Sequence, residues 1–166
     1  MKYIVILDIL LMVVFIGYLI HRNRGIGIYM YKNLTPGVKI SISRSISTAF
    51  EQYMKSIQWD EDQADIAVFV KDWKEYITQN ASWYVKVDEN VKEDPAFHRE
   101  FAVKINQTID KILNEKPTEE QMNTIEILQQ QTNSKEYMYS CRAEARYIIE
   151  KLQQELEKSN DAKEAM

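Results

Sequence analysis

The chain has 166 residues, a formal net charge of −4, four glycines, three prolines and a single cysteine. So little Gly and Pro disfavours a turn-rich all-β architecture, and the length left after an N-terminal anchor suits one compact domain. Cys141 alone excludes an intramolecular disulfide, and with no CxxC or Cys/His grouping no structural zinc site is expected.

Residues 3 to 20 hold thirteen Ile, Leu, Val or Phe side chains. At roughly −0.3 to −0.6 kcal/mol each, these favour insertion into a bilayer by about −6 kcal/mol, against at most about 3 kcal/mol for the one charged residue, Asp8. A single N-terminal transmembrane helix is therefore expected. His21-Arg22-Asn23-Arg24 follows the run in place of a small-residue cleavage site, which favours a retained anchor over a removed signal peptide. Arg22 and Arg24, with Lys32 and Lys39, outnumber the bases before the span, so the larger part of the chain is expected on the cytoplasmic side. Asp8 lies near one interface and is read either as a carboxyl that reaches water or as a polar contact to another membrane helix.

Charge is uneven along the chain. Residues 1 to 32 hold Lys2, Arg22, Arg24 and Lys32 against Asp8, a net +3, which leaves −7 of the total −4 on residues 33 to 166. That acidic remainder lacks the positive field that draws proteins to phosphate backbones, so nucleic acid is not an expected partner.

Residues 25 to 45 contain Gly25, Gly27, Pro36 and Gly37, and Ile40-Ser-Ile42-Ser alternates like a strand; the stretch is expected to be a juxtamembrane connector after an anchor spanning 1 to 24. From residue 46 to 158 the pattern predicts a three- or four-helix bundle, an all-α fold. Ile46, Phe50, Tyr53, Met54 and Ile57 mark a first helix. Asp60, Glu61 and Asp62 suit the start of a second, whose stripe from Ile66 through Trp73, Tyr76, Ile77, Trp83 and Val87 to Val91, broken by one polar position at Asn80, predicts about seven helical turns ending near Asp94-Pro95.

Ala96 to Glu115 predicts a third helix closed by Pro117, and Thr118-Glu-Glu-Gln121 matches a capping box at the start of a fourth. Thr132-Asn-Ser134 predicts a kink or interruption. Met138, Cys141, Ala145, Ile148, Leu152 and Leu156 then step by three and four, a heptad-like, coiled-coil spacing expected to pack inside the bundle, with a homo-oligomer seam as the alternative. Residues 159 to 166 are expected to be a disordered tail.

The aromatic group Trp73, Tyr76, Trp83 and Tyr84 is the densest constellation, because Trp and Tyr combine large flat area with a polar tip. It predicts either core packing or a partner-binding ridge. His98 with Asp94 four residues earlier is the one arrangement that resembles a metal or acid–base pair, and Cys141 on an apolar stripe reads as a core thiol. Asp60-Glu-Asp62 lacks the alternating oxygen ligands and central Gly of a calcium loop. There is no GxxxxGK[ST], GxGxxG or GxSxG, so no nucleotide or other cofactor, no metal and no enzymatic activity are expected. The pattern predicts a membrane-anchored helical interaction protein, an adaptor or assembly component, with a protein partner in or at the membrane. The alternatives are an extracytoplasmic envelope factor or inhibitor, and a metal-dependent enzyme centred on His98.

Overall fold

The computed structural model describes residue 31 and residues 34 to 164. The expected anchor at residues 3 to 20, with Asp8, Arg22 and Arg24, lies outside them. Among the described residues no helix is long and apolar enough to cross a membrane. The architecture is all-α, with no strand among the described residues. The helices are α1 (Pro36–Ser56), α2 (Ile66–Asn80), α3 (Ser82–Lys86), α4 (Glu89–Lys92), α5 (Pro95–Asn114), α6 (Glu119–Thr132) and α7 (Arg142–Glu164), with a short 3-10 turn at Glu61–Gln63. Between Thr108 and Ile109, inside α5, the chain divides into two compact units.

In the first unit α1 begins ten residues before the expected Ile46, so residues 36 to 45, expected as connector, are helical. The Thr-Pro-Gly sequence that reads as a loop is a helix start. Thr35 is the N-cap, its hydroxyl accepting the Val38 N–H at 3.4 Å, and Pro36 sits in the first turn, where its missing N–H costs nothing. Ser43, one of the serines that mimic strand alternation, turns its hydroxyl back on the helix, donating to the Lys39 carbonyl at 3.1 Å, and Ser47 one turn on donates to that of Ser43 at 3.1 Å. Ile42, Ile46, Ala49, Phe50, Tyr53 and Met54 form the buried face of α1.

After α1 the backbone reverses through Gln58 and Trp59, both at positive φ (56° and 58°), and the Trp59 N–H closes the helix end on the Met54 carbonyl at 2.7 Å. Asp60 caps the 3-10 turn rather than α2. The cap of α2 is Asp65, whose carboxylate accepts the Ala67 N–H at 2.7 Å. Phe69 of α2 meets Phe50 edge-on at 5.4 Å and Tyr53 at 5.9 Å, which locks α2 to α1.

The seven-turn second helix is not continuous. Ala81 (ψ 101°) and Val87 (ψ 128°) are extended, splitting the stripe into α2, α3 and α4. Asn80 turns its amide back to the Tyr76 carbonyl at 3.0 Å, and Asp88 caps α4 by accepting the Asn90 N–H at 2.9 Å. The periodicity misleads because Trp83 and Val87 stay buried across both breaks, so the apolar stripe keeps its phase while the axis does not.

The second unit is built on α6 and α7. The capping box at Thr118 forms in full: the Gln121 N–H donates to the Thr118 hydroxyl at 3.1 Å, and the Thr118 N–H donates to Gln121 Oε1 at 3.1 Å. Asn133 ends α6 in the left-handed conformation (φ 51°).

The next helix does not run back along α6 from there. Gln121 donates from Nε2 to the Arg142 carbonyl at 3.2 Å, and Ser134 donates to the Glu155 carboxylate at 3.0 Å, both across a separation of 21 residues. A constant offset at the two ends means that α6 and α7 run parallel. Residues 134 to 140 are the strap that returns the chain to the start of α6. Seven extended residues span about 23 Å, which matches the roughly 21 Å of a 14-residue helix.

Met138, expected on a helix, lies on this strap and is 83% exposed. Tyr137 and Tyr139, its alternate neighbours, pack on the core of Ile125, Leu128, Ala145, Ile148 and Leu152. The heptad positions Ala145, Ile148 and Leu152 are thus filled within the unit. The helix continues through Glu164, into the expected disordered tail.

Candidate functional site

The aromatic constellation is built around Phe101, a residue of α5. Trp73 on α2 packs on its ring at 5.6 Å, Trp83 on α3 stacks on it at 5.7 Å with an 18° interplanar angle, and Phe97 lies 4.4 Å away. Helix and turn geometry make this possible: Ala81 redirects the chain after α2 so that Trp83 faces the same ring as Trp73.

Trp73 and Trp83 are 6% and 3% exposed. Phe101 covers their flat faces inside the unit, which is the core packing that the sequence pattern offers as the first of its two readings. Tyr76 and Tyr84 remain half-buried. Tyr84 meets Trp83 edge-on at 5.6 Å, and its outer face carries the Lys92 ammonium 4.3 Å from the ring centroid. The same ammonium pairs with Glu89 at 2.6 Å. Of the four expected aromatics, the structure brings Trp73 and Trp83 onto the Phe101 ring, sets Tyr84 against Trp83 and leaves Tyr76 half-buried on α2.

The two indoles differ in one respect. Trp73 donates from Nε1 to the Ser45 hydroxyl at 3.3 Å, whereas Trp83 Nε1 is buried without a hydrogen-bond partner. Trp59, which stands outside the helices and their apolar stripes, is also buried, with no hydrogen-bond partner for Nε1 among the described residues. Its signal in the sequence is weak, since Gln58-Trp59 carries no Gly to announce a left-handed turn.

The His98 pair does not assemble as a ligand set. His98 is exposed on the first turns of α5, while the Asp94 carboxylate accepts the Ala96 N–H at 2.7 Å and so serves the helix start. Among the described residues no group of three or more His, Cys, Asp or Glu is placed to hold a metal ion. Cys141 is buried and free of a disulfide.

Tyr31, N-terminal to α1, is fixed to the first unit. Its N–H donates to the Glu100 carboxylate, and its ring meets Phe101 edge-on at 6.2 Å. Burial raises the Tyr31 phenol above its ordinary pKa, and a hydrogen bond with Ser43 partly offsets the rise.

Comparison with family models, with curated proteins and with solved structures finds no match to this chain.

Proposed function

We propose that the chain is a membrane-anchored helical interaction protein, an adaptor or assembly component. In this reading residues 3 to 20 hold it in the bilayer, and its helical units stand on the cytoplasmic side. The observation that carries this is the run of thirteen Ile, Leu, Val or Phe residues followed by Arg22 and Arg24, an insertion signal with basic residues behind it. The all-α units that follow supply rigid helical surface for a protein partner in or at the membrane. Asp8 adds a carboxyl within the span that a neighbouring membrane helix can hydrogen-bond. With Trp73 and Trp83 committed to Phe101, the partner is met by other surface, including the rims of Tyr76 and Tyr84.

Crosslinking followed by mass spectrometry on native membranes tests the reading. It predicts recurrent crosslinks from lysines of the helical units to one or a few membrane proteins. Crosslinks confined to the chain itself would count against a heterologous partner.

A further inference from the structure

We infer that the outward face of the first turns of α1 rests on the anionic headgroups of the same bilayer that residues 3 to 20 enter; this rests on the anchor of the proposed function. Three observations converge. The first is charge. After Asp8 the next acidic residue is Glu51, and the acid-free stretch between holds Arg22, Arg24, Lys32, Lys39 and Arg44. With Lys2, residues 1 to 50 carry six bases against one acid, a net +5, which leaves −9 of the total −4 on residues 51 to 166. The basic part of the chain is thus confined to the anchor flank and α1, where an anionic surface attracts it and repels the rest.

The second is the geometry of α1. At about 100° per residue Gly37, Ile40, Ser41 and Arg44 fall on one side of the helix, and all four are exposed, while Ile42, Ser45, Ile46 and Ala49 are buried. Ile40 is 59% exposed and stands one turn from Arg44, an apolar side chain beside a cation. Apart from its own helical turn, a Cβ placed on Gly37 would meet no atom of the described residues within 4 Å, so this end of α1 is left uncovered by them. The pairing of a shallowly inserting aliphatic group with a phosphate-binding base is what an interfacial helix face offers.

The third is reach. Tyr31 is held on the first unit by Glu100 and Phe101, and Lys39 lies over its ring at 5.7 Å, so the start of α1 is next to the point where the chain leaves for the anchor. Only residues 21 to 30 separate Tyr31 from the span. Ten residues extend at most about 36 Å, so the start of α1 cannot stand far from the headgroups.

The test uses the full chain in vesicles of phosphatidylcholine, alone or mixed with phosphatidylglycerol. A single environment-sensitive fluorophore is placed at Ile40→Cys in a Cys141→Ala background or, where that background is unstable, with the fully buried native thiol retained. The same label at Val85→Cys, 78% exposed on α3, is the control. The expected result is a blue shift and stronger emission at residue 40 in the anionic vesicles, absent at residue 85, lost in Arg44→Glu and weakened by salt. A probe at residue 40 that stays as water-exposed as the control in both lipids overturns the inference. So does a shift that requires added membrane proteins and is absent with lipid alone, since that assigns the face to a protein partner. Flotation of the same vesicles separates the two readings. A chain that floats with residue 40 in water retains its anchor and loses only this inference, whereas a chain that does not float loses both.

Discussion

The backbone N–H of Arg142 donates to the carbonyl of Glu115 at 2.7 Å, and the Arg142 guanidinium pairs with the Glu115 carboxylate at 2.8 Å. These bonds seat the first residue of α7 beside the segment that leads into α6, and so impose a parallel pair on two consecutive helices. Consecutive helices joined by short loops pack antiparallel. Here the strap of residues 134 to 140 supplies the length for a return.

The strap is held at its far end by Glu155, whose carboxylate accepts from Ser134 at 3.0 Å and from the Tyr137 hydroxyl at 3.3 Å. Lys151 lies 5.2 Å over the Tyr137 ring. Hydrogen bonds to a charged acceptor contribute about 1.5 to 3 kcal/mol where buried, and less at this half-buried position. Glu155→Ala is expected to lower the stability of the chain by about 1 to 2 kcal/mol in urea denaturation, and Tyr137→Phe by about 0.5 to 1 kcal/mol. Hydrogen exchange of α6 and α7 should rise in Glu155→Ala. Unchanged stability in both variants would mean that the strap is held by Tyr137 and Tyr139 packing alone.

The Phe101 cluster predicts an order among aromatic substitutions. Phe101→Ala removes the ring on which Trp73, Trp83 and Phe97 all pack, and is expected to cost about 3 to 5 kcal/mol. Trp83→Phe leaves a gap but also removes a buried N–H that has no partner, whereas Trp73→Phe loses a bond to Ser45. Trp83→Phe should therefore be the milder of the two by about 1 kcal/mol. Equal or reversed losses in denaturant titration would contradict the assigned hydrogen bonding.

How much of this was legible beforehand depends on which interactions are local. The capping box at Thr118, the end of α5 before Pro117 and the core position of Cys141 follow from adjacent residues and periodicity, and they read directly from the sequence. The breaks at Ala81 and Val87 do not, because the buried face keeps its phase through Trp83 and Val87. The start of α1 was hidden by Thr-Pro-Gly, which serves loops and helix starts alike. The parallel strap was hidden because Met138 falls in the heptad count, and only the distant partners Glu155 and Glu115 show that the chain there is extended. For the candidate site, the aromatic group was legible as a group, but its organising residue, Phe101, lay on another helix.

Tyr31 gives the structure a pH dependence in the alkaline range. Its folded pKa is raised above the ordinary 10.0, chiefly by burial, so the unfolded chain loses this proton first as pH rises. The stabilising contribution is fully present below pH 10 and is lost as pH rises through the raised folded value. Tyr31→Phe lacks this titration. The stability difference between the parent chain and Tyr31→Phe should be constant below pH 10 and shift against the parent above it. A difference that stays flat across that range would show that the Tyr31 environment is no drier than water.

The central claim, attachment by residues 3 to 20, is tested most directly by alkaline carbonate extraction of membranes from cells expressing the full chain. Full-length protein that stays with the bilayer through extraction, and is released when residues 3 to 20 are deleted, is the predicted result. Release of the intact chain into the supernatant would contradict it.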